Sequence, residues 1–77
     1  MKTVQISLNS IDKVKSFVND ITRFDYDFDL VSGRYVIDAK SIMGIFSLDL
    51  SKPIELNMHT EENIDEILKA LEPYLVK

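Results

Sequence analysis

The sequence predicts an α+β fold in which three helices cover one face of a four-stranded antiparallel sheet, in the order β-α-β-β-α-β-α. Three observations lead to this prediction. Apolar and polar residues alternate in four separate segments, which is typical of strands with one buried face. Other segments carry apolar residues at helical spacing. Strands that are separated along the chain must return to one sheet, so we expect an open-faced sandwich whose second sheet face lies in solvent.

Length and composition favour one domain spanning residues 1–77. A chain of 77 residues leaves little room for a second domain, and its 45% apolar content is sufficient for a modest core. There is no cysteine, which excludes disulfides and thiolate metal ligands. No apolar run reaches the length of a signal peptide or a membrane span, so we expect a cytoplasmic protein.

The charge balance indicates which partners are favoured. The chain has 13 acidic and 9 basic residues and a formal net charge of −4. Phosphate backbones and anionic lipids would be repelled by such a surface. We therefore predict protein partners, and no binding to nucleic acid or membranes.

The first half of the chain predicts a strand, a helix and a hairpin. Val4, Ile6 and Leu8 alternate with polar residues as in a strand. Ser10 is a good N-cap, and it precedes a helix that we expect from about Ile11 to Arg23. The next strand is predicted from an alternation of apolar residues with aspartates: Phe24, Asp25, Tyr26, Asp27, Phe28, Asp29 and Leu30. Ser32 and Gly33 then form the turn of a hairpin whose second strand is the segment 35–38.

The second half predicts a short helix, a strand and a longer helix. Ser41 can cap a short helix that continues to Leu48, and Gly44 within it must have a packing or contact reason because glycine lowers helix stability. The fourth strand is predicted from the alternation over residues 54–59. Thr60 is expected to cap the last helix. Glu61 and Glu62 lie in its predicted first turn, its buried stripe contains Ile64, Ile67, Leu68, Leu71 and Leu75, and Pro73 lies near its end.

The segment from Lys40 to Leu48 resembles a known family. Its sequence, KSIMGIFSL, is similar to the KSIMGVMSL segment of HPr, the phosphocarrier of the bacterial sugar phosphotransferase system. The predicted order of elements is also that of HPr, and the resemblance extends over nearly the whole chain. It implies an HPr-like fold.

The resemblance implies a regulatory site and a docking surface. In the family, the serine at the position of Ser41 is phosphorylated by an ATP-dependent kinase in many Gram-positive bacteria. The short helix that follows binds partner proteins. By resemblance, Ser41 is therefore the regulatory phosphorylation site, and the residues expected to bind partners are Lys40, Ile42, Met43 and Phe46.

The same resemblance implies that the carrier chemistry has been lost. The family carries phosphate on a histidine at the start of the first helix, followed two residues later by arginine and then by proline. Ser10, Asp12 and Lys13 occupy these positions here. A phosphoserine ester is too stable for relay, and Asp12 places negative charge where the family has a cation. His59 does not lie at the transfer position of the family.

Plain structural roles remain open for the same residues. Ser10 and Ser41 can simply be helix caps, and the apolar residues after Ser41 can belong to the core. The aspartates at positions 25, 27 and 29 share a strand face, but neighbours on that face are ~7 Å apart, so a solvated face is favoured over a metal site. His59 is expected to be exposed, with no carboxylate or second histidine at ligand spacing.

These observations favour a protein that is not an enzyme and binds no metal or cofactor, because no nucleophile and base pair, phosphate loop or metal motif is present. The preferred hypothesis is an HPr-like regulatory protein resembling the catabolite-repression paralogue of HPr. Its predicted partners are a serine kinase, a transcriptional regulator or a component of the phosphotransferase system. Two alternatives remain: a phosphocarrier that acts through a non-standard residue, and an interaction domain that is not phosphorylated.

Overall fold

The computed structural model describes residues 2–76, which form four strands, three α-helices and one 3₁₀ turn. In chain order they are β1 (Lys2–Ile6), α1 (Ile11–Thr22), β2 (Phe28–Ser32), β3 (Tyr35–Asp38), α2 (Ile42–Phe46), β4 (Ile54–Met58), α3 (Ile64–Leu71) and the 3₁₀ turn Glu72–Tyr74. The strands form one antiparallel sheet in the spatial order β1-β4-β2-β3. The predicted α+β class and order of elements are confirmed.

The core lies between the sheet and the three helices. The inward side chains of the sheet are Ile6, Phe28, Leu30, Ile54, Leu56 and Met58, and those of the helices are Val14, Phe17, Ile21, Ile45, Ile67 and Leu71. All twelve are at most 1% exposed. Because side chains alternate along a strand, the second face of the sheet carries the intervening residues, among them Thr3, Asp29 and Asn57. This face is open, as predicted.

The second strand begins four residues later than its alternating pattern predicts. β2 starts at Phe28, whereas Phe24 and Tyr26 lie in a connecting segment and pack against the core while half-buried. The N–H of Phe24 donates to the carbonyl of Ile21 at 3.1 Å, which closes the end of α1. This segment crosses from the helix layer to the sheet, and alternation alone does not distinguish such a crossing from a paired strand.

The last helix also begins later than predicted, because Thr60 does not cap it. The Thr60 Oγ1 atom accepts a hydrogen bond from the N–H of Glu62 at 2.9 Å within a local turn. Asn63 occupies the cap position with a left-handed backbone, φ 55°, and α3 starts at Ile64. Asp65 and Glu66, rather than Glu61 and Glu62, therefore lie in its first turn, where the helix dipole favours negative charge.

Pro73 marks the change from α-helix to 3₁₀ helix. α3 ends at Leu71 and the chain continues as the turn Glu72–Tyr74, since proline lacks the N–H that another α-helical turn would require. Tyr74 is buried and its ring packs edge-on against Phe17, with centroids 5.7 Å apart. The following residues run beside β1, where Leu75 forms a bridge with Ile6. The end of α3 is thereby held against the sheet.

Between residues 2 and 76, no helix combines the length and apolar character needed to cross a membrane.

Candidate functional site

Ser41 caps α2 and keeps its side chain at the surface. It has an extended backbone, φ −93° and ψ 101°, and its Oγ atom accepts a hydrogen bond from the N–H of Gly44 at 3.3 Å. Its carbonyl accepts from the N–H of Ile45 at 3.1 Å, and its own N–H donates to the carbonyl of Asp38 at 3.0 Å. The side chain is exposed, so an enzyme could reach the hydroxyl.

Gly44 lies where α2 comes close to β3. A Cβ atom at Gly44 would lie 3.2 Å from Cδ1 of Ile37 and 3.2 Å from Oγ of Ser41. Both distances are shorter than ordinary van der Waals contact, so a side chain here would require Ile37 and the serine cap to move by a few tenths of an ångström. This contact is the packing reason expected from a glycine inside a helix.

The apolar residues of α2 divide between the core and the surface. Ile45 is fully buried, and Ile42 is half-buried against the core. Met43 is 76% exposed and Phe46 is 41% exposed, so these two side chains point outward. They form what we call the α2 patch, which consists of Met43 and Phe46 and has Ser41 at the start of the same helix. Large apolar side chains at this exposure are unusual for residues that serve only the core.

Lys40 is engaged with the protein interior. Its Nζ atom donates to the carbonyl of Phe24 at 2.8 Å and lies 5.6 Å from the centroid of the Phe28 ring. Its N–H also donates to Oδ1 of Asp38 at 2.9 Å. The side chain is half-buried and connects the start of α2 to the segment that follows α1. The partner-binding role expected of Lys40 remains a prediction, and its contacts here are structural.

The start of α1 is capped by a serine, as predicted. Ser10 is the N-cap, and its Oγ atom accepts a hydrogen bond from the N–H of Lys13 at 3.1 Å. Asp12 lies in the first turn, and Ile11 is 62% exposed. α1 also contacts α2, so the two serine-capped helices are neighbours. A carboxylate at this helix start is favourable for the helix and unfavourable for a bound anion.

His59 has a carboxylate partner that the sequence did not predict. Its Nε2 atom lies 2.5 Å from Oδ2 of Asp29 on the open face of the sheet. The register brings the two together, because β2 and β4 pair Phe28 with Met58, and the N–H of His59 donates to the carbonyl of Asp27 at 2.9 Å. Both side chains are partly exposed, as expected for His59. Alternation places each residue on a face, but only the register makes them neighbours.

The His59 pair lies in a shallow acidic cavity. The cavity has a volume of about 310 Å³ and is lined by Asp27, Phe28, Asp29, Asp38 and His59. Three carboxylates around one imidazole make a poor environment for a phosphoryl group, because every added negative charge meets three others. Over residues 2–76, no three acidic or histidine side chains converge closely enough to hold a metal ion. Asp25 lies outside the cavity, so the three alternating aspartates do not act as one group.

Comparison with solved structures identifies the fold. The chain is similar to the crystal structure of HPr-C-His from Thermoanaerobacter tengcongensis, with a TM-score of 0.77 and 28% identity over 95% of this chain and 89% of that one. It is also similar to the phosphocarrier protein HPr from Bacillus anthracis strain Ames, with a TM-score of 0.71 and 30% identity over 97% of this chain and 94% of that one. No family model and no curated protein matches the sequence. From the order of its strands and helices, and from a similarity that covers both chains nearly end to end, we conclude that this chain belongs to the HPr family.

Proposed function

We propose that this protein is a regulatory, protein-binding member of the HPr family that uses the α2 patch to dock a partner and Ser41 to control the docking. Relation to the HPr phosphocarriers connects it with the phosphotransferase system. The observation that carries the proposal is the outward position of Met43 and Phe46 on a helix headed by an exposed serine. The similarity of the segment 40–48 to HPr supports the same assignment.

The α2 patch has the character of a small docking surface. Met43 is flexible and polarisable, and Phe46 offers a rigid aromatic face, which are properties common among residues that anchor protein interfaces. Ile45 anchors α2 to the core, since its side chain is fully buried. The patch is therefore fixed in position while its two outer side chains remain available to a partner.

Phosphorylation of Ser41 would alter this surface without unfolding it. The hydroxyl is already exposed, and its present role is one cap hydrogen bond to the N–H of Gly44. A phosphate would add about two negative charges next to the α2 patch and could accept hydrogen bonds from N–H groups at the helix start. The ammonium of Lys40 already donates a hydrogen bond to the carbonyl of Phe24, and the added negative charge would be presented to a partner at the surface.

Histidine phosphotransfer is disfavoured by the surroundings of the two relevant positions. Ser10 caps α1 and Asp12 lies in its first turn; by resemblance, these are the positions of the family's carrier histidine and of a cation. His59 lies at the end of β4, and its cavity is lined by three aspartates. Neither position combines a reactive acceptor nitrogen with groups that would stabilise a phosphoryl dianion.

Phosphorylation with site mapping tests the regulatory assignment. The protein, Ser41→Ala and Ser10→Ala are incubated with an HPr serine kinase and ATP, and the phosphorylated residue is located by peptide mass spectrometry. We expect one phosphate on the protein and on Ser10→Ala, and none on Ser41→Ala. Ser10→Ala is the matched control because it removes the other serine cap. Absence of label under conditions that label an HPr control would remove the regulatory claim.

The same reaction tests the docking surface. Met43→Ala and Phe46→Ala should raise the KM of the kinase for this protein, while Gln5→Ala, on an exposed residue of β1, should leave it unchanged. Equal effects of all three variants would mean that docking does not use α2. If the kinase phosphorylates the protein with an unchanged KM in both α2 variants, Ser41 is regulatory but the partner binds elsewhere.

A third measurement decides between this proposal and a carrier acting through an unusual residue. The protein is incubated with phosphoenolpyruvate and the first enzyme of the phosphotransferase system, and its intact mass is measured before and after acid treatment. We expect no added mass. An acid-labile phosphate on this chain would overturn the proposed loss of phosphotransfer, and His59→Gln would show whether the acceptor is the imidazole.

A further inference from the structure

The two edges of the sheet differ in whether another segment of the chain lies along them. β1 forms one edge, and the C-terminal segment lies along it: the N–H of Ser7 donates to the carbonyl of Tyr74 at 2.8 Å, and the N–H of Val76 donates to the carbonyl of Gln5 at 3.0 Å. β3 forms the other edge, and no further strand within residues 2–76 pairs with it. One edge is covered and the other is open.

The register shows which backbone groups of β3 point outward. The N–H of Ala39 donates to the carbonyl of Phe28 at 2.9 Å, which makes these opposite residues a hydrogen-bonded pair. In an antiparallel ladder such pairs alternate, so Ile37 and Tyr35 also point their backbone groups toward β2. The N–H and carbonyl of Val36 consequently point away from the sheet, toward the open edge. The carbonyl of Asp38 is occupied by the N–H of Ser41 at 3.0 Å.

Between Tyr35 and Asp38, β3 has neither lysine nor proline to protect its open edge. Exposed edge strands commonly carry lysine, proline or a bulge that prevents further pairing. Here Tyr35 is 69% exposed and Val36 is 63% exposed. Both residue types have high strand propensity, which favours pairing with an added strand. Val36 lies on the open face of the sheet and Tyr35 on the helix side. Both faces of the edge therefore offer apolar contact to an added strand.

The charges at the two ends of β3 are unpaired. Asp38 lies directly opposite Asp29 in the ladder, and like charges in this position are destabilising. Arg34 lies in the hairpin turn at the other end and is exposed. Within residues 2–76, neither Arg34 nor Asp38 forms an ion pair. Positive and negative groups thus stand two residues before and two residues after Val36.

We propose that β3 is a dimerisation edge on which a second copy of this chain pairs antiparallel, about a two-fold axis through Val36. In this register Val36 pairs with Val36 of the second copy through the two outward backbone groups. Arg34 then lies opposite Asp38 of the second copy, and the reverse contact is made by symmetry. The arginine also lies next to the like-charged pair of Asp38 and Asp29 and offsets its repulsion. The two four-stranded sheets join into one.

A second copy fits this edge better than an unrelated strand because the edge is self-complementary. Read in opposite directions, the order arginine, valine, aspartate matches each charge with its opposite and valine with valine. A basic peptide would satisfy Asp38 but leave Arg34 facing a like charge. The strand has only four residues and the carbonyl of Asp38 is already bonded, so the contact is small and the dimer is weak and concentration-dependent. This inference does not depend on the proposed function of α2.

Sedimentation velocity over a concentration series tests the dimer, with Val36→Pro as the first variant. Because the N–H of Val36 points outward, proline there removes no hydrogen bond within the sheet but blocks the central pair between copies. We expect the protein to approach a dimer as concentration rises, and Val36→Pro to remain monomeric with an unchanged far-UV circular dichroism spectrum. A protein that is monomeric throughout, or a dimer that persists in Val36→Pro, would overturn the proposal.

Charge exchange tests the register independently of how Val36→Pro folds. Arg34→Asp and Asp38→Arg should each weaken dimerisation about tenfold, since each changes two symmetric contacts, and the double variant should restore it. Lys15→Asp, on the exposed face of α1, makes the same charge change as Arg34→Asp and should leave the dimer unchanged after allowance for net charge. Equal weakening by Lys15→Asp, or no recovery in the double variant, would contradict the paired register.

Discussion

The hydroxyl of Tyr74 donates a hydrogen bond to Oδ2 of Asp20 at 2.9 Å, and this contact joins the C-terminal turn to α1. The Tyr74 ring is 4% exposed and packs against Phe17. Burial, together with the hydrogen bond and negative charge of Asp20, raises the pKa of Tyr74 to about 12. The folded protein therefore favours the neutral phenol. The side chain of Tyr74 connects the C-terminal turn to the core and to α1, and its backbone carbonyl accepts a hydrogen bond from the N–H of Ser7 beside β1.

Replacing Tyr74 with phenylalanine tests this contact through its pH dependence. The contribution of Tyr74 to stability is complete below pH ~10, where the unfolded phenol is also neutral, and it is lost as pH rises toward ~12. Tyr74→Phe should lower the free energy of unfolding by about 1–2 kcal/mol at neutral pH and reduce the alkaline loss of stability. Urea unfolding at several pH values measures both effects. An unchanged alkaline slope would contradict the assignment, and Tyr35→Phe, on an exposed ring, is the control.

Ser41 and Ser10 should make similar contributions as caps. Each Oγ atom accepts a hydrogen bond from an N–H in the first turn of its helix, at 3.3 Å for Ser41 and 3.1 Å for Ser10. Ser41→Ala and Ser10→Ala should each cost about 1 kcal/mol. Hydrogen exchange should show increased opening at Gly44 in the first variant and at Lys13 in the second. If exchange at Gly44 does not change in Ser41→Ala, the serine does not stabilise α2.

Substitutions of Ile45 and Met43, which lie in the same five-residue helix, should have very different effects on folding stability. Ile45→Ala removes a fully buried side chain and should cost about 2–5 kcal/mol. Met43→Ala alters a side chain that is 76% exposed and should change stability by less than about 0.5 kcal/mol. Chemical unfolding of the two variants under one set of conditions measures the difference. A large loss of stability in Met43→Ala would mean that this residue serves packing and not the α2 patch.

Lys40 should matter for stability because its ammonium donates to the Phe24 carbonyl at 2.8 Å while the side chain is half-buried. Lys40→Met keeps most of the length of the side chain and removes the charge, so it should cost about 1–3 kcal/mol. Lys52→Met, at an exposed position, should change stability by no more than about 0.5 kcal/mol. Thermal unfolding of both variants checks the comparison. If both variants lose equally little stability, the hydrogen bond from Lys40 to Phe24 does not stabilise the fold.

Asn63 combines two opposing effects at the start of α3. Its left-handed backbone, φ 55°, favours glycine, whereas its side chain donates from Nδ2 to the Tyr26 hydroxyl at 2.9 Å. Asn63→Ala loses the hydrogen bond and remains strained, so it should cost about 1–2 kcal/mol. Asn63→Gly loses the same bond but relieves the backbone and should cost less than Asn63→Ala. If both variants are equally unstable, the backbone conformation is not a source of strain.

Much of the fold could be predicted because its causes are local. Each strand and helix has its own apolar period, and the caps at Ser10 and Ser41 depend on hydrogen bonds to a residue three positions later. The turn between β2 and β3 needs Gly33 because its φ is 60°. The prediction failed at residues 24–27 and at Thr60, where the local pattern was compatible with a strand and a cap. Neighbouring segments determined the outcome there.

The amino-acid pattern was sufficient to predict the order of the elements and their buried faces, and the resemblance to HPr pointed to Ser41 and the helix that follows it. Which side chains of α2 remain at the surface depends on tertiary packing, since Ile42 and Ile45 are covered by the core while Met43 and Phe46 are not. The strand register likewise brought His59 to Asp29, 30 positions apart in the chain. Periodicity assigns a residue to a face, but contacts across that face depend on how distant segments pack, and this information is not local.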